Sequence, residues 1–223
     1  VDCGGVCVNA CFVAVTTKEI QVQNVSFVAG GENQYDVVAV VKNPNESMGA
    51  SNFMYTIELK DRSGQVLVSR TGKGAILPRA EKKVMELNLE TTGLPVTATL
   101  VIGDVLWEQS TDYREQPKVS IYQKRYEQVT SGFGFGKAFG RLSNESPYDF
   151  RSISVYVTLY DSTGKLLALN KTRQDTIIAG ASRDFELVWP APFAGVVDRV
   201  EMDIDADVYN SENFVKQYFP GSR

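Results

Sequence analysis

The sequence predicts an all-β protein built as two tandem β-sandwiches. Three observations carry that prediction: a domain-length internal repeat, a two-residue hydrophobic period inside each copy, and the same Asp-x-x-Gly turn at the same place in both.

The repeat is read from Ile57-Glu58-Leu59-Lys60-Asp61-Arg62-Ser63-Gly64-Gln65-Val66-Leu67, which returns 100 positions later as Val157-Thr158-Leu159-Tyr160-Asp161-Ser162-Thr163-Gly164-Lys165-Leu166-Leu167. The same offset carries Leu77 to Ile177 and Glu86-Leu87 to Glu186-Leu187. At an offset of 99, Asn45-Glu46-Ser47 maps to Asn144-Glu145-Ser146. A unit this long is a whole domain, whereas solenoid units run to roughly 20–50 residues. Within each copy Phe53, Tyr55, Ile57 and Leu59, then Ile153, Val155, Val157 and Leu159, occupy alternate positions. That alternation marks half-buried antiparallel strands. Each strand ends at Asp61 or Asp161, whose carboxylate can cap a turn, and the turn closes at Gly64 or Gly164, which tolerates positive φ. Further strands read over 20–28, 35–42, 66–70, 82–89 and 96–107, then 118–126, 133–141, 166–169, 183–189 and 197–208, and no amphipathic helix stands out. Short, evenly spaced strands with turns between them predict immunoglobulin-like sandwiches of about seven antiparallel strands each. The organisation expected is an N-terminal cysteine-containing apolar segment (1–17, an anchor neck or extra strand), a sandwich (18–108), a polar linker (109–117) ending in Pro117, and a second sandwich (118–223). So short a linker predicts a semi-rigid rod.

Val157-Thr158-Leu159-Tyr160-Asp161 followed by Gly164 resembles the signature of the FxLYD domains, small immunoglobulin-like β modules; the first copy departs from it at Lys60. The chain beyond residue 18, with Asn43-Pro44-Asn45, Trp189-Pro190-Ala191-Pro192-Phe193 and Ser211-Glu212-Asn213-Phe214, is similar to tandem-domain proteins predicted to be exported in candidate-phylum bacteria. The resemblance implies a fold and an extracytoplasmic setting, at the cell surface or secreted. It implies no activity.

Composition bounds function. There is no histidine among the 223 residues, which removes the commonest general base and the commonest neutral metal ligand. No Ser-His, Cys-His or paired-carboxylate arrangement is legible, so no enzyme and no cofactor is expected. The net charge of −4 gives no basic footprint for nucleic acid. No apolar run is long enough to span a bilayer, so membrane attachment is expected only through an anchor upstream of residue 1.

The candidate sites are few. Cys3, Cys7 and Cys11 repeat at a spacing of four. Three thiolates fall short of the four ligands of a closed zinc site, so the expectation is a disulfide with one leftover thiol, or pairing between chains. Glu201, Asp203, Asp205 and Asp207 share one face of the last strand, opposite Val200, Met202, Ile204, Ala206 and Val208. Neighbours on such a face stand about 7 Å apart, and each pair repels by roughly 0.6 kcal/mol in water. A solvated face that discourages edge pairing is the first reading; a calcium ion or a basic partner is the second. In the first copy the matching outward positions read as Leu100, Ile102, Asp104 and Leu106, with Val101, Val105 and Trp107 inward. Leu100, Ile102 and Leu106 are therefore candidates for a partner surface, covered by the N-terminal segment, the other domain or a protein partner, self-association included. Gly132 to Lys137 fails the P-loop spacing and reads as a glycine-rich strand with Phe133, Phe135 and Phe139 on one face. Asn24, Asn45, Asn144 and Asn170 head Asn-x-Ser/Thr triplets, with Asn45 and Asn144 placed in equivalent loops as glycan acceptors if the source glycosylates. The loops 43–52 and 143–150 are the expected recognition loops of a binding module. The functional expectation is a non-catalytic extracytoplasmic structural or spacer protein, tethered or part of an assembly; the alternative is a secreted, adhesion-type module that recognises a protein or glycan.

Overall fold

The computed structural model describes residues 16–221. Twelve strands form four three-stranded antiparallel sheets. In the first sandwich β1 (Gln21–Gly31), β2 (Gln34–Lys42) and β5 (Glu81–Glu90) form one sheet, and β4 (Val66–Ile76), β3 (Met48–Lys60) and β6 (Thr97–Gln109) the other. The second repeats the plan with β7 (Val119–Gln128), β8 (Gly136–Asn144) and β11 (Ser182–Trp189) facing β10 (Leu166–Ile177), β9 (Phe150–Tyr160) and β12 (Arg199–Ala206). The all-β immunoglobulin-like class is as the sequence predicts, with six strands per sandwich among the described residues rather than about seven.

The alternating positions do what their period dictates. Phe53, Ile57 and Leu59, and Ile153, Val155, Val157 and Leu159, are fully buried between their sheets. The two Asp-x-x-Gly turns are alike atom for atom. Asp61 Oδ1 accepts from the Ser63 N–H at 2.8 Å, the Ser63 hydroxyl at 2.7 Å and the Gln65 N–H at 3.0 Å, while Asp161 takes the same three bonds from Thr163 and Lys165. Gly64 (φ 85°) and Gly164 (φ 83°) supply the left-handed residue each turn needs. The repeat shifts to an offset of 101 at the opposite end. Asn43, not Asn45, is the counterpart of Asn144: their N–H groups bond Ala80 O and Ala181 O, both at 2.9 Å.

The sequence reading differs from the structure in three places. Gly132 and Gly134 both have positive φ, so residues 131–135 form a loop and the strand begins at Gly136. After β12 the chain leaves the sheet in a 3₁₀ turn (Val208–Asn210) and a short helix, α1 (Glu212–Tyr218). Nor are the sandwiches a rod. The β1-β2-β5 sheet stacks on the β10-β9-β12 sheet, and Val38, Met85 and Leu169 form a small buried cluster between them, flanked by Val28, Leu87, Tyr156 and Leu166. At one end the tail straps both halves. Thr111 N–H donates to Tyr218 O at 2.7 Å, and Tyr113 from the linker packs its ring edge-on to Phe214 and Tyr218. A Cβ on Gly49 would collide with the Tyr209 hydroxyl, so the tail presses directly on the first sandwich.

Candidate functional site

The acidic strand face is the most informative feature: part-exposed, it lies against the first sandwich and pairs with two of its lysines. In β5 two successive lysines project toward the second sandwich. Lys83 Nζ lies 2.7 Å from Asp203 Oδ2 and 3.3 Å from Glu201 Oε2, and donates to the Thr158 hydroxyl at 3.2 Å. Lys82 Nζ lies 2.6 Å from Asp205 Oδ2 and donates to Ala75 O at 2.9 Å. Alternation puts Glu201, Asp203 and Asp205 on one face, and the stacked sheet supplies the cations that the repulsion between them requires. Burial alone would depress the Lys83 pKa; the Asp203 and Glu201 carboxylates outweigh it and hold the ammonium above its ordinary value. Tyr156, shielded between the sheets, donates to Asp205 at 3.3 Å, and burial together with that carboxylate pushes its phenol well up. Asp207 stands beyond the end of β12 and accepts from Asn210 Nδ2 at 2.8 and 3.0 Å. Among the described residues no three His, Cys, Asp or Glu side chains gather as a metal site.

The expected partner surface is divided by a β-bulge. Leu100 is 7% exposed in the core, and Ile102 packs against it from the same side. The β3–β6 register slips between the Tyr55↔Ile102 and Phe53↔Val105 pairs, so Val105 and Trp107 also point inward. The outward apolar residues of β6 are Val101 (57% exposed) and Leu106 (59%). Of the three residues singled out from the sequence, only Leu106 lies on the surface, because one extra residue in a strand reverses every side chain beyond it. Cys3, Cys7 and Cys11 lie outside the described residues.

The loops 43–52 and 143–150 are largely occupied with holding the fold. Asn144 is fully buried and its Nδ2 donates to Tyr148 O at 2.7 Å and Ile178 O at 3.1 Å; Asn45 Nδ2 is taken up by Lys18 O and Asn43 Oδ1. Neither is placed to carry a glycan in the folded chain. Asn24 is exposed on β1, and Asn170 Nδ2 donates to Val188 O at 2.9 Å.

Two cavities of about 460 Å³ lie between the sandwiches. One is bordered by Asn52, Lys73, Ser152, Ser154, Tyr156 and Arg173. The other, at the end of the tight turns, is bordered by Gly30, Gln34, Asp36, Leu169, Asn170 and Trp189. Asp36 is buried there with Oδ1 accepting from Asn88 N–H at 2.8 Å; desolvation raises its pKa against that bond and the nearby Lys171 charge. At the same end three large apolar side chains stand in water: Leu94, Phe133 and Val196. Sequence reasoning missed all three. It read Phe133 as a strand residue, and it had no pattern by which to find single apolar residues in loops.

No family model matches the chain, and no curated protein matches it. The chain is structurally similar to the crystal structure of red sea bream transglutaminase at 12% identity, covering 86% of this chain and 30% of the other, with a TM-score of 0.27. A likeness at that score carries no argument about activity.

Proposed function

We propose that the protein is a non-catalytic extracytoplasmic structural module, a stiff spacer tethered at a cell surface or a subunit of an extracellular assembly. The observation that carries this reading is the lock between the two sandwiches. The lysine–carboxylate row, the Val38–Met85–Leu169 cluster and the tail strap join them at three places. An interface made of both charge pairs and apolar packing fixes orientation better than a nine-residue linker does. Such a body holds whatever it is joined to at a set spacing and angle, a mechanical role that needs no reacting group. The FxLYD resemblance supports the extracytoplasmic setting. The chain's helices do not bear on it: among the described residues none is long and apolar enough to cross a membrane.

The test is location together with shape. Antibody against the chain should reach it on intact cells of the source, and added protease should cleave it without lysis. Recovery from the cytosol alone would overturn the setting. Small-angle scattering of the purified chain should fit one compact body with the sandwiches side by side; an extended, two-lobed profile would overturn the spacer mechanism.

A further inference from the structure

Val196, Leu94 and Phe133, 81%, 80% and 77% exposed, are the most exposed large hydrophobic residues among those described, and they share one end of the molecule. Leu94 sits in the β5–β6 loop, which is fixed beside the β1–β2 and β3–β4 turns by Thr91 N–H to Asn33 O (3.0 Å) and Val96 N–H to Lys60 O (2.8 Å). Phe133 and Val196 sit in the β7–β8 and β11–β12 loops, which are joined through Phe135 N–H to Trp189 O at 2.7 Å. Gly30 to Gln34 of the first sandwich border the same cavity as Trp189 to Ala191 of the second, so the two sandwiches present these ends side by side.

Two further facts separate these residues from scattered surface leucines. Leu94 and Val196 are repeat equivalents: each follows a glycine, Gly93 or Gly195, whose missing Cβ leaves room for Leu67 or Leu167. The stretches that hold the three side chains are also free of charge, although Asp198 closes the β11–β12 loop and the neighbouring turns carry Glu32, Asp61 and Arg62. Residues 91–96, 129–136 and 190–197 contain no Asp, Glu, Lys or Arg, in a chain where such residues make up 22%. A stretch without charges escapes the large cost of taking an ionised group out of water.

We infer that this end docks on the uncharged interfacial region of a lipid bilayer, with Leu94, Phe133 and Val196 as shallow anchors. Area and form choose the occupant. Three side chains, none larger than a phenylalanine, offer far less than the roughly 800 Å² per partner of a stable protein interface. A bilayer accepts separate anchors one at a time and needs no complementary shape. The absence of a basic patch in the loops makes the attraction apolar and independent of anionic lipid. This goes beyond the spacer reading and does not rest on it.

Flotation of the purified full chain with phosphatidylcholine vesicles tests it. The chain should float with the vesicles in low and high salt alike, each single change Leu94→Ser, Phe133→Ser or Val196→Ser should weaken partitioning about tenfold, and the triple variant should stay at the bottom. Because the triple variant retains the N-terminal apolar segment, its behaviour isolates the loops. Exposed side chains leave the fold intact, which circular dichroism checks. A wild-type chain that stays at the bottom, a triple variant that floats equally, or flotation only with anionic vesicles at low salt would each overturn the proposal. So would tip-dependent self-association in sedimentation velocity without flotation, which would make the loops a protein contact.

Discussion

β6 and β12 are equivalent strands in the two repeats, and they present opposite chemistry to opposite surroundings. β12 turns three carboxylates outward, and a second sheet with two lysines covers them; β6 turns Val101 and Leu106 outward, into solvent. Polarity alone would assign the two surfaces the other way round. The difference teaches that an outward charge row marks an interface when the complementary row exists elsewhere in the chain. Lys82 and Lys83 lie about 120 residues before their partners, so no local pattern announces the pairing. The equivalent of Lys83 on the outer face of the second sandwich is Asp184, held bidentately by Arg141 at 2.7 and 2.9 Å. That face settles its charges internally, and a third sandwich could not stack there by repeating the interface.

The largest effect should come from reversing one charge. Lys83→Glu would set a fourth carboxylate against Glu201, Asp203 and Asp205. A fully buried broken pair costs about 3–5 kcal/mol; these carboxylates are part-exposed, and screening brings the expected loss to about 2–3 kcal/mol. Urea denaturation should show it, and scattering should show the sandwiches parting. Adding Asp203→Lys should recover a measurable part, whereas no recovery would mean that the row is incidental to the lock. Lys83 also gives a pH dependence. Its folded pKa is raised, so its contribution is complete below the ordinary lysine pKa of about 10.4 and fades as pH climbs through the higher folded value. Alkaline titration should therefore loosen the wild type more steeply than a Lys83→Met variant.

Next is the strap. Gly49→Leu would drive a side chain into Tyr209 and lift the tail from the first sandwich, an overpacking change expected to cost about 2 kcal/mol in thermal or urea unfolding. Proteolysis near residue 210 should accelerate in step. A variant as stable as wild type would show that the tail gives way freely.

How much was legible follows from which interactions are local. The hairpins read correctly because Asp61, Gly64 and their counterparts act within five residues, and the inward rows of β3 and β9 read correctly because alternation is a property of one strand. The face of Leu100 and Ile102 was misassigned because the slip near Gly103 is set by the pairing of β6 with β3, not by the β6 sequence alone. The helix after Ser211 is two turns long, too short for a period of 3.6 to declare itself, although Phe214, Val215 and Tyr218 do share a face. The two-sandwich lock needed the three-dimensional stack, since its members come from Val38, Lys82–Met85, Tyr156–Leu169, Glu201–Asp205 and the tail beyond them.

The smallest effect should fall on β6 itself. Val101 stands beside Thr56 on the outer face, with Thr71 on the other side of Thr56, at a hydroxyl separation of 3.4 Å. Val101→Thr keeps the β-branched shape that a strand favours and exchanges a methyl already 57% in water for a hydroxyl. The change should move stability by less than about 0.5 kcal/mol and leave scattering unaltered, in contrast with Lys83→Glu at the other end of the scale. If Val101→Thr and Leu106→Thr together lowered the unfolding midpoint strongly, the outer face of β6 would have to be covered in solution, and the contrast with β12 would dissolve: both last strands would then be buried faces, one matched by charge and one by apolar contact.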